Sequence, residues 1–216
     1  MTCGIPLSSS EFQPRCIFFR SQGFRAAAQR HWVPATSGNF SVRIDASRIA
    51  ITRSGVDKGA LTASDVLVQE LEAPLRPGSS AEAALHVRLY RDDPDINAIL
   101  HTHGPASTVI GRAHASDKSV RIHGWELQKA LAGVTTHDTT VDVPIFANDQ
   151  NIEALSKRVA KRLARPVPNG CCRAPGYLLA GHGLYAWGRS AAEAARHLEA
   201  LEVLFSQILA LRSYQS

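Results

Sequence analysis

The apolar run at residues 96–100 leads directly into His101-Thr102-His103, and this junction constrains the fold more than any other feature of the sequence. A short, largely apolar run of this kind predicts a buried strand. Side chains alternate along a strand, so residues at i and i+2 lie on the same face, a few ångströms apart. The chain is therefore expected to fold so that the end of a buried strand presents two imidazoles together.

Strand patterns and helix patterns are interspersed along the whole chain. Residues 40–44 and 48–52 alternate around a turn and predict a hairpin. Further strands are predicted at 66–71, 140–146 and 176–180, the last continuing through 185–188; helices are predicted at 22–31, 81–91, after Pro105, at 125–131, 151–163 and 190–211. In the last helix Ser190 is expected as N-cap, with Glu193 at capping-box spacing. The pattern predicts one α/β domain with a mixed sheet and helices around it.

Length and composition exclude several classes of protein. A chain of 216 residues fits one domain or at most two small ones. Its 44% hydrophobic and 20% charged residues are typical of a globular protein and exclude wholesale disorder, collagen and coiled coil. No stretch approaches the roughly 18 uncharged apolar residues of a membrane-spanning helix, so no membrane partner is expected. The net charge of +5 favours an anionic partner. Nucleic acid is not expected as that partner, because the sequence lacks a stripe of Arg and Lys interleaved with aromatic residues.

The start of the chain carries no recognisable targeting signal. The apolar run at residues 16–19 is too short for the core of a signal peptide, which predicts a cytoplasmic protein. The four cysteines show neither a disulfide framework nor paired zinc-knuckle spacing. Adjacent Cys171 and Cys172 are predicted to be free thiols, with a strained vicinal disulfide as the alternative. Residues 1–20 are expected to form a poorly ordered leader of unknown role.

A third histidine completes a candidate metal site. His182 follows an apolar strand and lies between Gly181 and Gly183, which permit a close approach of backbone or ligand. Together with His101 and His103 it gives three imidazoles and an open position, the ligand set of a catalytic zinc site. The same pattern also suits histidines that are hydrated at exposed strand ends.

Three loops of small polar residues are candidates for binding an anion. They contain Ser37-Gly38-Asn39, then Ser54-Gly55 followed by Lys58, then Ser80 just before a helix. Backbone N–H groups, hydroxyls and a helix N-terminus can together hold a phosphate, although the same residues are common in ordinary turns. Glu82 and Glu126 are candidates for proton transfer, although either also suits the solvated first turn of a helix.

In this order, TSGN at 36–39, SGVDK at 54–58, SAE at 80–82, HTH at 101–103 and GHGLYAWG at 181–188 resemble the class II aldolase/adducin family. The resemblance covers about residues 22–212. It is closest to a dehydratase branch, on the segments 32–55, 97–104, 124–131, 140–148 and 181–202. It implies a single three-layer α/β/α catalytic domain over residues 21–216, with a central mixed, mostly antiparallel sheet. It also implies a homotetramer with sites near the subunit interfaces.

The resemblance also implies roles for particular residues. One Zn²⁺ per subunit is expected on His101, His103 and His182. The phosphate of a sugar-phosphate substrate is expected at Ser37, Gly38, Asn39, Ser54, Gly55, Lys58 and Ser80. Aldolases of the family carry Ser-Ser-Glu where this chain has Ser80-Ala81-Glu82. The acid/base carboxylate corresponds to Glu82 in the aldolases and to Glu126 in the dehydratase branch, so both are candidates.

The activity implied is the loss of water from a 2-ketose 1-phosphate with a 5-methylthio group, giving a 2,3-diketone in methionine salvage. A class II sugar-phosphate aldolase or 4-epimerase is the alternative; it would use the same metal, with Glu82 as the main acid/base. A lower alternative is a non-catalytic interaction domain, as in adducin heads. Such domains can lose the metal histidines, whereas all three are present in this chain.

Overall fold

The computed structural model describes residues 22–215, so the expected leader lies outside the described residues. The described part contains nine strands: β1 Asn39–Arg43, β2 Arg48–Thr52, β3 Val66–Glu70, β4 Ala98–Thr102, β5 Ser119–Ile122, β6 Thr140–Phe146, β7 Cys171–Arg173, β8 Gly176–Leu179 and β9 Gly183–Gly188. It contains five α-helices: α1 Gln22–Gln29, α2 Ala83–Asp92, α3 Pro105–Ala113, α4 Ile152–Leu163 and α5 Ala191–Gln215.

One sheet contains all nine strands. Its order is β3-β2-β1-β4-β9-β8-β6-β5, with β7 also paired to β6. The pairings of β6 with β7 and with β8 are parallel, and the others are antiparallel. The predicted mixed, mostly antiparallel sheet is confirmed.

Helices cover both faces of the sheet. Ile99 and Leu100 are neighbours on β4 whose side chains enter different cores, as strand alternation requires. Leu100 packs in the core that includes buried residues of α1, α3 and α5, and Ile99 packs in the core that includes buried residues of α2 and α4. The result is the predicted three-layer α/β/α arrangement.

Several predicted elements need correction. Residues 185–188 do not continue the strand at 176–180, because the chain reverses after β8 and β9 returns antiparallel beside it. Gly181 makes this turn with φ of 66°, a backbone conformation that favours glycine. The predicted helix at 125–131 is a short 3-10 helix, Glu126–Ala130. Strands β5 and β7 were not predicted, since both are short.

The start of α5 confirms half of the expected capping box. The Ser190 hydroxyl accepts from the N–H of Glu193 at 3.1 Å, as an N-cap should. The carboxylate of Glu193 instead accepts from the N–H of Arg189 at 2.6 Å. Cys171 and Cys172 are free thiols, as predicted. No helix within residues 22–215 is long and apolar enough to cross a membrane.

Candidate metal centre and substrate pocket

The sheet register sets the position of the first histidine. Asn39 on β1 lies opposite His101 on β4, which lies opposite Tyr185 on β9, which lies opposite Tyr177 on β8. The ring of Tyr185 stacks on the fully buried ring of His101 with 4.0 Å between centroids. This packing limits how far the His101 imidazole can turn.

Three imidazoles converge through their Nε2 atoms. Those of His101 and His103 are 3.0 Å apart, those of His103 and His182 are 3.1 Å apart, and those of His101 and His182 are 3.3 Å apart. Nδ1 of His101 donates to the Leu184 carbonyl at 3.1 Å, and Nδ1 of His182 donates to Oδ1 of Asn148 at 3.1 Å. A neutral imidazole has one N–H, so Nε2 of both rings is left as an acceptor.

This arrangement fits a metal ion. Lone pairs of neutral imidazoles aimed at one point repel each other unless a cation lies between them. Tetrahedral zinc with Zn–N distances of 2.0–2.1 Å places its nitrogen ligands about 3.3 Å apart, close to the separations found among the three rings. Burial lowers the pKa of His101 well below its ordinary value, and burial with the nearby His182 lowers the pKa of His103 to about 4. Both rings are therefore neutral, as a metal ligand must be.

Glu82 joins the three histidines from the start of α2. Its Oε1 lies 2.9 Å from Nε2 of His182, and its Oε2 lies 3.5 Å from Nε2 of His101 and accepts from Nδ2 of Asn39 at 3.0 Å. Burial raises the pKa of Glu82, and protonated imidazoles at these distances would bring that pKa down to about 2. With neutral rings, the carboxylate and the Nε2 lone pairs face one another, which favours a cation between them. One ligand atom from each of the four residues lies within 4.8 Å of the others.

A cavity of about 420 Å³ opens beside this cluster. Its lining includes every residue predicted to hold the phosphate together with members of the metal cluster: Ser37, Gly38, Asn39, Ser54, Gly55, Lys58, Ser80, Glu82, His103 and His182. The chain segments that lead into α2 and α4 also line it. Two helix N-termini at one cavity favour an anion.

Two glycines of these loops adopt backbone conformations that favour glycine. Gly38 and Gly55 both have φ of 72°, and a Cβ on Gly38 would lie 2.5 Å from the carbonyl oxygen of His101. The Ser37 hydroxyl is buried without a hydrogen-bond partner among the described residues. Lys58 is buried, its Nζ donates to the Thr36 carbonyl at 2.5 Å, and burial lowers the pKa of Lys58.

Four further pocket residues follow β6, and no sequence motif points to them. Asn148 orients His182, and Asp149, Gln150 and Ile152 also line the cavity. The available signal was their position between the end of an apolar strand and the start of an amphipathic helix. Side chains at such a strand end lie where ligands bind in many α/β proteins.

Glu126 does not lie in this pocket. Its side chain is 71% exposed and forms an ion pair with Lys129. Nε2 of Gln128 donates to the Thr139 carbonyl at 2.5 Å, and this hydrogen bond holds the short 3-10 helix beside the start of β6. Asn148, which contacts His182, follows the other end of β6. A strand rises about 3.3 Å per residue, so the seven residues of β6 place the short 3-10 helix and Asn148 about 20 Å apart along the strand. Within one chain, Glu126 is therefore at the end of β6 opposite to the metal cluster.

The fold is that of the class II aldolase type. The chain belongs to this family, since the family described as Class II Aldolase and Adducin N-terminal domain matches residues 21–209. Among its relatives, the methylthioribulose-1-phosphate dehydratase of Bradyrhizobium sp. strain BTAi1 is 62% identical over 89% of this chain and 89% of the relative. The enzyme of that name from Parvibaculum lavamentivorans is 50% identical over 84% of this chain and 87% of the relative.

A solved structure agrees with this assignment. L-fuculose-1-phosphate aldolase from Thermus thermophilus superposes with a TM-score of 0.73 and 27% identity. The match covers 95% of this chain and 98% of that aldolase. The aldolase architecture therefore extends over nearly the whole chain.

Proposed function

We propose that this chain is a methylthioribulose-1-phosphate dehydratase, a hydro-lyase of methionine salvage that converts 5-methylthioribulose 1-phosphate to 2,3-diketo-5-methylthiopentyl 1-phosphate. The proposal is supported by relatives of that name at 62% and 50% identity over most of both chains. The structural observation that carries it is the convergence of three Nε2 atoms beside the cavity of the small-residue loops.

The phosphate of the substrate would lie in the loops that contain Ser37-Gly38-Asn39, Ser54-Gly55 and Ser80. Their backbone N–H groups and hydroxyls supply neutral donors, and Lys58 supplies a positive charge beneath them. The N-termini of α2 and α4 add to the attraction for an anion. Ala81 occupies the position where aldolases carry a second hydroxyl, so contact from that position would be limited to its backbone.

The metal ligands would be His101, His103 and His182, and we propose Zn²⁺ as the ion. A zinc ion bound there supplies a Lewis acid that polarises a carbonyl group and stabilises negative charge developing beside it. The Leu184 carbonyl and the Asn148 carboxamide fix the orientation of two of these rings, as outer-shell partners of metal ligands commonly do.

The elimination step needs two proton transfers. A base takes the C3 proton, the C4–O bond breaks as a double bond forms between C3 and C4, and the departing oxygen takes up a proton to leave as water. The resulting enol then becomes the diketone. Glu82 is ionised and lies at the metal cluster, so it is positioned to exchange a proton with a bound substrate.

Glu126 would act on a substrate bound to a different copy of the chain. It is exposed and lies at the start of β6, whereas the metal cluster of its own chain lies at the end of that strand, about 20 Å further along it. We therefore propose a homo-oligomer, a tetramer in keeping with the family resemblance, in which Glu126 of one subunit completes the site of its neighbour.

A class II sugar-phosphate aldolase is the second candidate. It is favoured by the likeness to L-fuculose-1-phosphate aldolase and by the position of Glu82 in the pocket. The two functions differ in the bond that breaks, because an aldolase cleaves C3–C4 whereas a dehydratase cleaves C4–O.

The product distinguishes the two. The zinc-loaded protein is incubated with 5-methylthioribulose 1-phosphate, and the products are identified by mass spectrometry and NMR. Dehydration gives one phosphorylated product lighter by one water molecule. Formation of a triose phosphate and a methylthio-aldehyde would contradict dehydration and support the aldolase.

A further inference from the structure

A buried carboxyl group lies on α5 outside the metal cluster. The side chain of Glu202 is 3% exposed, and its neighbours on the helix, Leu201, Leu204 and Phe205, are fully buried. No lysine, arginine or histidine forms an ion pair with it within the described part of the chain. Burial raises the pKa of Glu202 to about 7. A buried carboxyl group without a cationic partner destabilises a fold unless its hydrogen bonds compensate.

The hydrogen bond of Glu202 is to the first turn of α3. Its Oε2 accepts from the backbone N–H of Ser107 at 3.3 Å. Pro105 has no N–H, so Ser107 is among the first donors of this helix, which no carbonyl of the helix itself can satisfy. Glu202 thus caps α3 from a different helix, and the positive end of the α3 dipole favours its carboxylate.

Gly104 has no side chain where the carboxyl group of Glu202 lies. A Cβ on Gly104 would be 2.2 Å from Oε1 and 2.6 Å from Oε2 of Glu202. The backbone of Gly104, with φ of −58° and ψ of 143°, is one that any residue before a proline can adopt. Space for the Glu202 carboxyl group is therefore the reason for a glycine at this position.

The same helical turn is connected to two of the metal histidines. His103 immediately precedes Gly104, and the Ser107 hydroxyl donates to the Gly104 carbonyl at 3.0 Å. The Thr108 hydroxyl donates to the carbonyl oxygen of His182 at 3.2 Å. A shift of this turn would therefore move both His103 and His182.

We propose that Glu202 is a positioning residue for the metal centre, which anchors the first turn of α3 to α5 and thereby holds His103 and His182 at the separation that binds the ion. This inference rests on the metal site of the proposed function. It assigns a role to a side chain that contacts neither the ligands nor the substrate pocket.

The test measures the zinc affinity of the metal-free protein by competition with a chromophoric chelator. Glu202→Leu retains the bulk but removes the acceptor, whereas Glu202→Gln retains an oxygen that accepts from Ser107. We expect Glu202→Leu to lower zinc affinity about 10- to 100-fold and Glu202→Gln to stay within about threefold of the wild type. The matched control is Glu199→Gln, at an exposed carboxylate on the same helix that pairs with Arg30. Wild-type affinity in a folded Glu202→Leu variant would overturn the inference.

Gly104→Ala tests the same contact without altering Glu202. It should weaken zinc binding in the wild-type background and have no further effect in Glu202→Ala, where space for the methyl group is available. Additive losses would contradict the inference.

Loss of the dehydration reaction with intact zinc binding would reject the proposed function alone, whereas wild-type zinc affinity in Glu202→Leu with intact dehydration would reject this inference alone.

Discussion

Nε2 of His103 lies 3.1 Å from Nε2 of His182, although the two residues are 79 positions apart in the chain. His103 immediately follows β4, and His182 lies in the turn between β8 and β9. Because β4 and β9 are hydrogen-bonded neighbours, the two chain segments meet at one end of the sheet. Gly183 permits this approach, since a Cβ there would lie 2.0 Å from the Thr102 carbonyl oxygen.

Removal of the third imidazole should release the metal. We expect His182→Ala to lose most bound zinc in elemental analysis, because two imidazoles cannot complete the site. His123→Ala removes an exposed histidine elsewhere and serves as the control. Undiminished zinc in His182→Ala would remove this residue from the ligand set.

Glu126→Gln should retain zinc and lose most of its turnover. General acid/base assistance is typically worth about 10²- to 10⁴-fold, and the substitution leaves all three imidazoles intact. Steady-state rates and zinc content are measured on the same preparation. Full activity in Glu126→Gln would contradict a catalytic role.

A mixing experiment tests whether Glu126 acts between subunits. Glu126→Gln lacks the carboxylate but has an intact metal cluster, and His182→Ala has the opposite defect. When the two inactive variants are unfolded together and reassembled, mixed oligomers should regain part of the wild-type activity. No recovery in verified mixed oligomers would contradict a site shared between copies of the chain.

The Ser37 hydroxyl should contribute to substrate binding. It is buried without a partner among the described residues and lines the cavity, so a phosphate oxygen would satisfy it. Ser37→Ala should raise KM about tenfold with little change in kcat, as for the loss of one hydrogen bond to a charged group. Ser47→Ala, in an exposed turn, is the control. An unchanged KM would exclude this contact.

Acid should destabilise the fold through His86. Burial lowers the pKa of this fully buried residue to about 3, although the negative charge of Glu82 acts in the opposite direction. The Ser41 hydroxyl forms a hydrogen bond with Nδ1 of His86, and the ring of Tyr185 packs against the imidazole. The unfolded chain binds a proton at His86 below about pH 6.5, and the folded chain does so only below about pH 3. Stability should therefore fall by about 1.4 kcal/mol per pH unit between these values.

Urea unfolding of the metal-free protein at pH 7, 5 and 4 measures this effect. Metal-free protein is used so that release of zinc does not contribute. His86→Gln should show a smaller loss of stability between pH 7 and pH 4 than the wild type, whereas His123→Ala should match the wild type. Equal pH dependence of His86→Gln and the wild type would show that His86 is not the group responsible.

The sequence predicts the parts of the site that depend on local geometry. His101 and His103 share a face because strand side chains alternate, and the glycines around His182 indicate a close approach of the chain there. The composition of the small-residue loops predicts an anion site, and all three loops line one cavity. These signals lie within short stretches of chain.

The remaining parts depend on tertiary contacts. Asn148 orients His182 because the segment after β6 lies beside the turn after β8, and no local pattern specifies that contact. The helix pattern does not distinguish Glu202 from the other residues of α5. Its role depends on Gly104, which lies against its carboxyl group in the folded chain. The position of Glu126 at the other end of β6 follows from how the short 3-10 helix attaches to the sheet.

The most direct test of the account is the rate at which the protein forms the diketone from 5-methylthioribulose 1-phosphate, followed by ultraviolet absorbance. Three samples are compared: the zinc-loaded protein, the protein after chelation, and the chelated protein restored with zinc. We predict diketone formation in the first and third samples and its loss in the second. No diketone from the zinc-loaded protein, or an equal rate after complete removal of the metal, would contradict metal-dependent dehydration at the three histidines.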